Sequence, residues 1–129
     1  MQEILILLIA IKQLIKQYHW QAKSYQEHIL ANKLEEDLED YIDEVAEVSV
    51  VMEMNDKQLN ADALLGKASL YLQDKKEVSI LNLIKAFGDL SEAVHELSEK
   101  ATNIGLNDLL GRIANLTIKK MYLLHLQDK

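Results

Sequence analysis

The sequence contains no cysteine, no proline and only four glycines among its 129 residues. Without cysteine, the chain offers no disulfide, no thiolate for a zinc finger and no cysteine nucleophile, which fits a reducing compartment. Proline and glycine most often interrupt helices, and the composition is rich in leucine, isoleucine, alanine, lysine, glutamate and glutamine. The sequence therefore predicts an all-α protein. The sequence also lacks a glycine-rich loop between a strand and a helix, which argues against a nucleotide-binding site of that kind.

Positive charge is also scarce, because 14 lysines and arginines stand against 21 aspartates and glutamates, for a formal net charge of −7. Non-specific binding to nucleic acid draws its free energy from cationic side chains that neutralise phosphates, so we expect no DNA binding. The apolar run in MQEILILLIAIK is too short to span a bilayer and lacks a cationic leader. We expect a cytoplasmic protein that does not associate with membranes.

Apolar residues recur at helical spacing in four long segments. The predicted helices cover 3–22, a segment from 27 or 32 to 54, 76–102, and 107 to the end. Ser24 is a candidate cap at a bend after the first helix, and Gly105 a candidate left-handed cap after the third. The connection between the second and third helices is long, with room for one or two helical turns at 61–66. A single domain over 1–129 with this layout is a ferritin-like four-helix bundle.

Two histidines and two carboxylates within the stretch 18–47 are the candidate metal ligands: His19, His28, Asp43 and Glu47. Imidazole nitrogens together with carboxylate oxygens suit iron, manganese or zinc. Asp43 and Glu47 are separated by one helical turn, so both can reach one ion. These four side chains are therefore the predicted metal site.

The helical wheel of the second predicted helix puts its acids away from its core. Asp40, Asp43 and Glu47 lie nearly opposite the apolar stripe, and the residues Val50, Val51 and Met54 lie toward the same outward side. An outward face that combines carboxylates with apolar residues is better explained by contact with another subunit than by water alone. The pattern therefore predicts that the acids belong to an intersubunit contact.

The motifs around these residues resemble those of the Dps branch, the mini-ferritins, of the ferritin-like superfamily. The string His19-Trp20-Gln21-Ala22-Lys23, then His28, then Asp43-Glu44-Val45-Ala46-Glu47 is similar to the family's HWxxK-like and DExxE-like strings. The resemblance implies that the two histidines of one subunit and Asp43 and Glu47 of its two-fold partner bind iron and support its oxidation from Fe(II) to Fe(III). It further implies a homo-oligomer, usually a dodecameric shell that stores iron. Small Dps-like proteins, including viral ones, share an HWxxKSYxxH-like string.

The chain departs from the family pattern in three respects. The interval between His19 and His28 is shorter than usual and lacks a Gly-Pro-x-Phe-like turn. Asn32 occupies the position where many members have an additional aspartate ligand, and its neutral amide oxygen is a weaker ligand. We therefore expect lower affinity for a second iron ion. The basic tail with which some members bind DNA is missing.

Three interpretations remain open. The first is an iron-binding protein with ferroxidase-type oxidoreductase activity at His19, His28, Asp43 and Glu47. The second is a non-catalytic helical oligomer whose site is vestigial or holds zinc, and whose acids are a solvated helix face. The third is a di-metal enzyme with its site inside the bundle, which requires the pair Glu92 and His95 to point inward. The wheel puts that pair at the edge of the apolar stripe or outside it, which favours a surface location.

Overall fold

The computed structural model describes residues 1–53, 59–73 and 75–128, and these residues are almost entirely helical. The helices are α1 (Gln2–Trp20), α2 (Tyr25–Glu35), α3 (Leu38–Glu53), α4 (Ala61–Leu72), α5 (Ile80–Lys100) and α6 (Ile104–Asp128). No β-strand occurs in these ranges. The predicted all-α class is confirmed, and the finer assignment to a four-helix bundle stays a prediction.

Helix α1 lies at the centre of the structure and packs against α2, α3, α4 and α5. Because four neighbours surround it, its apolar residues cover more than a single stripe. Its buried residues are Ile4, Leu5, Leu7, Leu8, Ala10, Ile11, Leu14, Ile15 and Tyr18. The apolar run at the start of the sequence thus forms the core of the protein. In the ranges that the structure covers, no helix is long and apolar enough to cross a membrane.

The second predicted helix is broken into α2 and α3. Leu34 and Leu38 are fully buried on either side of the break, and Asp37 between them has a left-handed backbone with a φ of 70°. Aspartate tolerates this conformation better than most residues. The buried Nζ of Lys120 on α6 donates a hydrogen bond of 2.6 Å to the carbonyl of Lys33, which needs a partner at the end of α2. The prediction of one continuous helix is therefore wrong at 36–37, and its predicted end at Met54 lies outside the described residues.

The second half of the chain also differs from its predicted boundaries. Helix α4 has 12 residues, more than the one or two turns that were predicted. Ser79 and Asn82 form a capping box at the start of α5. The side chain of Asn103 accepts a hydrogen bond from the backbone of Leu106, so α6 begins at Ile104 and not near Asn107. The predicted left-handed cap at Gly105 is wrong, because no glycine in the described ranges has a positive φ and Gly105 lies in the first turn of α6.

Helix α6 packs mainly on α5 and makes smaller contacts with α2 and α3. The loop between α5 and α6 has only three residues, 101–103, so the two helices are antiparallel neighbours. Arg112 on α6 forms bidentate hydrogen bonds of 2.9 and 2.6 Å with Glu44 on α3. The candidate ligands lie on α1, α2 and α3.

Candidate metal centre

His19 and His28 lie next to each other at one end of the structure. His19 is in the last turn of α1 and is half-buried, whereas His28 is in the first turn of α2 and is exposed. Their ring centroids are 4.3 Å apart, with an angle of 77° between the planes. Two imidazoles this close can supply nitrogen ligands to the same metal site.

The turn between α1 and α2 brings the two histidines together. The predicted cap is confirmed, because the side chain of Ser24 accepts a hydrogen bond of 3.1 Å from the backbone of Glu27. In return, the carboxylate of Glu27 accepts a hydrogen bond of 2.8 Å from the backbone of Lys23. These reciprocal bonds fix where α2 starts and therefore where His28 lies.

Two large aromatic side chains are exposed beside the histidine pair. Tyr25 is 77% exposed and stacks on the His28 ring with centroids 6.4 Å apart, and Trp20 is 75% exposed. Aromatic side chains of this size are more often largely buried or located in an interface. Both side chains therefore present apolar surface to solvent beside the two imidazoles.

Asp43 and Glu47 lie on the outward face of α3, and both are exposed, as is Asp40. The prediction that these acids point away from the core is confirmed. Glu44 differs from them, because it is half-buried and bound by Arg112. The hydrogen bonds from Arg112 lower the pKa of Glu44, which outweighs the raising effect of burial. The charge of Glu44 is therefore used between helices, and Asp43 and Glu47 are the pair available to a metal.

Within one chain, the histidine pair and the carboxylate pair are far apart. Ion pairs link Lys16 with Glu35 at 2.8 Å and Lys12 with Glu39, which sets an antiparallel register between α1 and the α2–α3 segment. In this register Asp43 is level with Leu8, eleven residues before His19, or about 16 Å along the helix at 1.5 Å per residue. In the described part of the chain, no group of three or more histidine, aspartate or glutamate side chains is suited to hold a metal ion. The structure thus contains two separate halves of the predicted site.

Three further residues bear on the departures from the family pattern and on the alternative site inside the bundle. Asn32 is exposed on α2, one helical turn beyond His28, so its amide is accessible from the same side. Glu92 and His95 are both exposed on α5, and the Nε2 atom of His95 lies 3.0 Å from the carboxylate of Glu99. The predicted surface location of the Glu92 and His95 pair is confirmed, and neither side chain points into the core.

Two glutamines of α1 hold the loop before α5, a contact that was not predicted. The amides of Gln17 and Gln21 donate hydrogen bonds of 2.7 and 3.0 Å to the carbonyl of Lys76. The Oε1 atom of Gln21 accepts one of 3.2 Å from the backbone of Val78. Gln21 belongs to the string that begins at His19, so the residue next to the histidine end is tied to the loop. A pair of glutamines four residues apart, beside the apolar stripe, is the signal that would have suggested this contact.

Comparison of the chain with known protein families, with curated proteins and with solved structures gives no match.

Proposed function

We propose that the chain is a ferritin-like bundle whose two-fold dimer binds Fe(II) between His19 and His28 of one copy and Asp43 and Glu47 of the other, and oxidises it to Fe(III). If α2 and α3 are taken as one bent helix, the long elements are α1, α2–α3, α5 and α6. Helix α4 then belongs to the long connection between the second and third of them. This layout supports the four-helix interpretation.

The proposal rests on one observation. The histidine pair and the carboxylate pair are both accessible, and they lie at different heights along the antiparallel α1 and α2–α3 segments. The histidine pair and the carboxylate pair are separated by about 16 Å along α1, from the register and the helical rise. A two-fold axis between them turns the second copy end for end. The histidines of each copy then meet the carboxylates of the other, and every dimer has two equivalent sites.

Exposed apolar side chains beside both ligand pairs support contact between the two copies. Trp20 and Tyr25 lie at the histidine end, and Val50 and Val51 follow the carboxylates on α3. In a two-fold dimer of this kind, the aromatic end of one copy faces the valine end of the other. Burial of these side chains would contribute the apolar contact area that the ligands alone do not provide.

The chemistry follows from the ligand types. Carboxylate oxygens are hard, anionic ligands that favour Fe(III) over Fe(II), and the imidazoles complete the coordination. Each Fe(II) gives one electron to the oxidant, so two Fe(II) ions and two protons convert one hydrogen peroxide to two water molecules. Dioxygen is the other candidate oxidant. Storage of the oxidised iron would require that dimers assemble further into a closed shell such as a dodecamer.

A second candidate is a helical oligomer that binds zinc at the same residues and has no oxidase activity. The exposed amide of Asn32 favours this alternative, because a neutral ligand near the histidines does less to hold a second cation than an aspartate. Zinc requires only four ligands, and the two histidines and two carboxylates supply four.

The test is aerobic oxidation of Fe(II) by the purified protein, followed by the absorbance of Fe(III), with the variants His19→Ala and Asp43→Ala. We expect both variants to lose the activity of the wild type. Glu92→Ala is the matched control, because Glu92 is an exposed acid on α5 away from the proposed site. Equal rates in the wild type, His19→Ala and Asp43→Ala would contradict the proposal. Metal binding without oxidation would support the zinc alternative.

A further inference from the structure

The outward face of α6 has a ridge of exposed apolar side chains. Ile118, Tyr122 and Leu126 are 66, 61 and 51% exposed. Because they recur every four residues, they project from the same side of the helix over about 12 Å. Single exposed apolar residues are ordinary, whereas an aligned set marks a contact surface. We call this set the α6 ridge.

A groove lies beside the ridge, between α5 and the first half of α6. It has a volume of about 360 Å³, and small residues form half of its lining: Ser91, Ser98, Gly111 and Ala114, beside Val94, His95, Asn107 and Leu110. A Cβ atom added at Gly111 would meet no atom within 4 Å, so nothing inside one chain requires glycine there. Glycine in a helix interior is unfavourable, and close approach of another backbone is a reason to have it. We call this feature the α5–α6 groove.

We propose that the α6 ridge of one copy packs into the α5–α6 groove of a second copy across a two-fold axis, with the two α6 helices antiparallel and crossing near Asn115. An antiparallel crossing at this point puts Ile118 of each copy within one residue, about 1.5 Å along the axis, of Gly111 of the other. It also puts Tyr122 of each copy opposite Asp108 of the other. The ridge occupies the second half of α6 and the groove the first half. The same face is therefore complementary to itself, as a two-fold contact requires.

The size of the face is sufficient for a second copy as the partner. The face is two helices wide, about 20 Å, and α6 is about 37 Å long at 1.5 Å per residue, so it covers roughly 700 Å². Stable protein contacts bury about 600–1,000 Å² per partner. Helix α6 is not among the helices that pack substantially on α1. This contact uses residues of α5 and α6, whereas the proposed metal ligands lie on α1, α2 and α3, and it requires no metal.

Single-cysteine variants test the geometry directly, because the natural sequence has no cysteine. Asn115→Cys places one thiol at the crossing point, and Ile104→Cys places one at the exposed start of α6. In the antiparallel pair the two copies of position 104 are about 33 Å apart along the helix axis, so no disulfide can join them. Under mild oxidation of the metal-free protein, we expect Asn115→Cys to form covalent dimers and Ile104→Cys to remain uncrosslinked. Crosslinks with both variants would show a parallel pair, and none with either would overturn the proposal.

Sedimentation equilibrium of Ile118→Lys gives the energetic test. The side chain is exposed in a single chain, so we expect the variant to keep the far-UV circular dichroism of the wild type. In the dimer the ammonium group would be forced into the groove, and we expect the dissociation constant to rise at least about tenfold. Leu65→Lys on α4 is the matched control, since Leu65 is similarly exposed but belongs neither to the α6 ridge nor to the α5–α6 groove. An unchanged dissociation constant in Ile118→Lys, or a monomeric wild type at high concentration, would contradict the proposal.

Discussion

The rings of His19 and His28 lie edge to face with their centroids 4.3 Å apart, although the two residues belong to different helices. In one continuous helix, a separation of nine residues would put them on opposite sides and about 13 Å apart along the axis. The turn capped by Ser24 is therefore what creates the histidine pair. Its position, rather than the histidine content of the sequence, determines whether two imidazoles are available to one metal site.

Mixing two inactive variants should restore oxidation if the site is shared between copies. His28→Ala removes one half of the proposed site and Glu47→Ala removes the other half. In a mixed dimer, one site has both defects and the other has none. After subunit exchange of an equimolar mixture, we expect about a quarter of the wild-type sites to be active. The measurement is the Fe(II) oxidation rate before and after exchange, with each variant alone as the control. If the rate stays at the level of the separate variants, the site is not shared between copies. Either all four ligands then come from one chain, or these residues do not bind the metal.

Lys120 should make the stability of the protein depend on alkaline pH. Burial lowers its pKa from the ordinary 10.5, although the nearby charges of Glu36 and Asp37 oppose this effect. The unfolded chain then binds more protons than the folded one between the lowered value and 10.5, so stability rises with pH in that window. We expect the difference in unfolding free energy between the wild type and Lys120→Met to grow in favour of the wild type as the pH approaches 10.5.

Urea unfolding at several pH values between 8 and about 10.5 measures this dependence. Lys119→Met is the control, because Lys119 is the adjacent lysine and is exposed. We expect the stability of Lys119→Met to follow the wild type across the range. If the stability of Lys120→Met also changed with pH in the same way as that of the wild type, Lys120 would not be buried in the folded protein.

The ion pair between Arg112 and Glu44 should contribute stability at neutral pH and lose it in acid. The pKa of Glu44 is lowered below its ordinary 4.5 by the hydrogen bonds from Arg112. A carboxyl with a lowered pKa stabilises the folded state above its unfolded pKa, and this contribution disappears as the pH falls through the folded value. Because the pair is partly exposed, we expect Glu44→Gln to reduce the free energy of unfolding by only about 0.5–1 kcal/mol at pH 7.

The difference between Glu44→Gln and the wild type should shrink as the pH is lowered well below 4.5. Asp40→Asn is the matched control on α3, since Asp40 is exposed on the outward face. We expect little change in stability from that substitution. An equal loss in both variants would mean that net charge, and not the contact with Arg112, explains the effect.

Ser49 should be a site where a smaller side chain stabilises the protein. Its hydroxyl is buried and has no hydrogen-bond partner among the described residues. A buried polar group without a partner is costly, so we expect Ser49→Ala to raise the free energy of unfolding by about 1 kcal/mol. Thr117 is the matched control, because it is equally buried but donates a hydrogen bond of 2.9 Å to the carbonyl of Ile113. We expect Thr117→Val to lower the stability, and chemical denaturation of both variants would reveal the opposite signs.

Local sequence signals were sufficient to predict the helices whose determinants lie nearby. The apolar spacing in 3–22 predicted α1, and Ser24 was correctly identified as the cap of α2. The break at Asp37 was missed because Leu34 and Leu38 keep helical spacing across it. The residue that supports the break, Lys120, follows 87 positions after its partner Lys33. A contact so distant in the sequence has no local pattern.

The candidate site also combines features that local sequence patterns predict with contacts between residues that are distant in the sequence. The helical wheel predicted the outward direction of Asp43 and Glu47, since this depends only on the period of the helix and the position of the core. The wheel did not distinguish the free acids from Glu44, which is bound by an arginine 68 residues later. The closeness of His19 and His28 depends on a turn of four residues. Periodicity therefore did not predict their closeness, and their selection as candidate ligands depended on ligand chemistry and on the resemblance to the Dps branch.

The most direct test of the proposed site is anomalous scattering from a crystal of the protein soaked with Fe(II) and measured on both sides of the iron absorption edge. We expect an iron peak between His19 and His28 of one copy and Asp43 and Glu47 of a second copy related by a two-fold axis. The same protein with Asp43→Ala should give a weaker peak or none. Iron elsewhere, or a crystal in which the two ligand pairs lie well apart in every assembly, would contradict the proposed site.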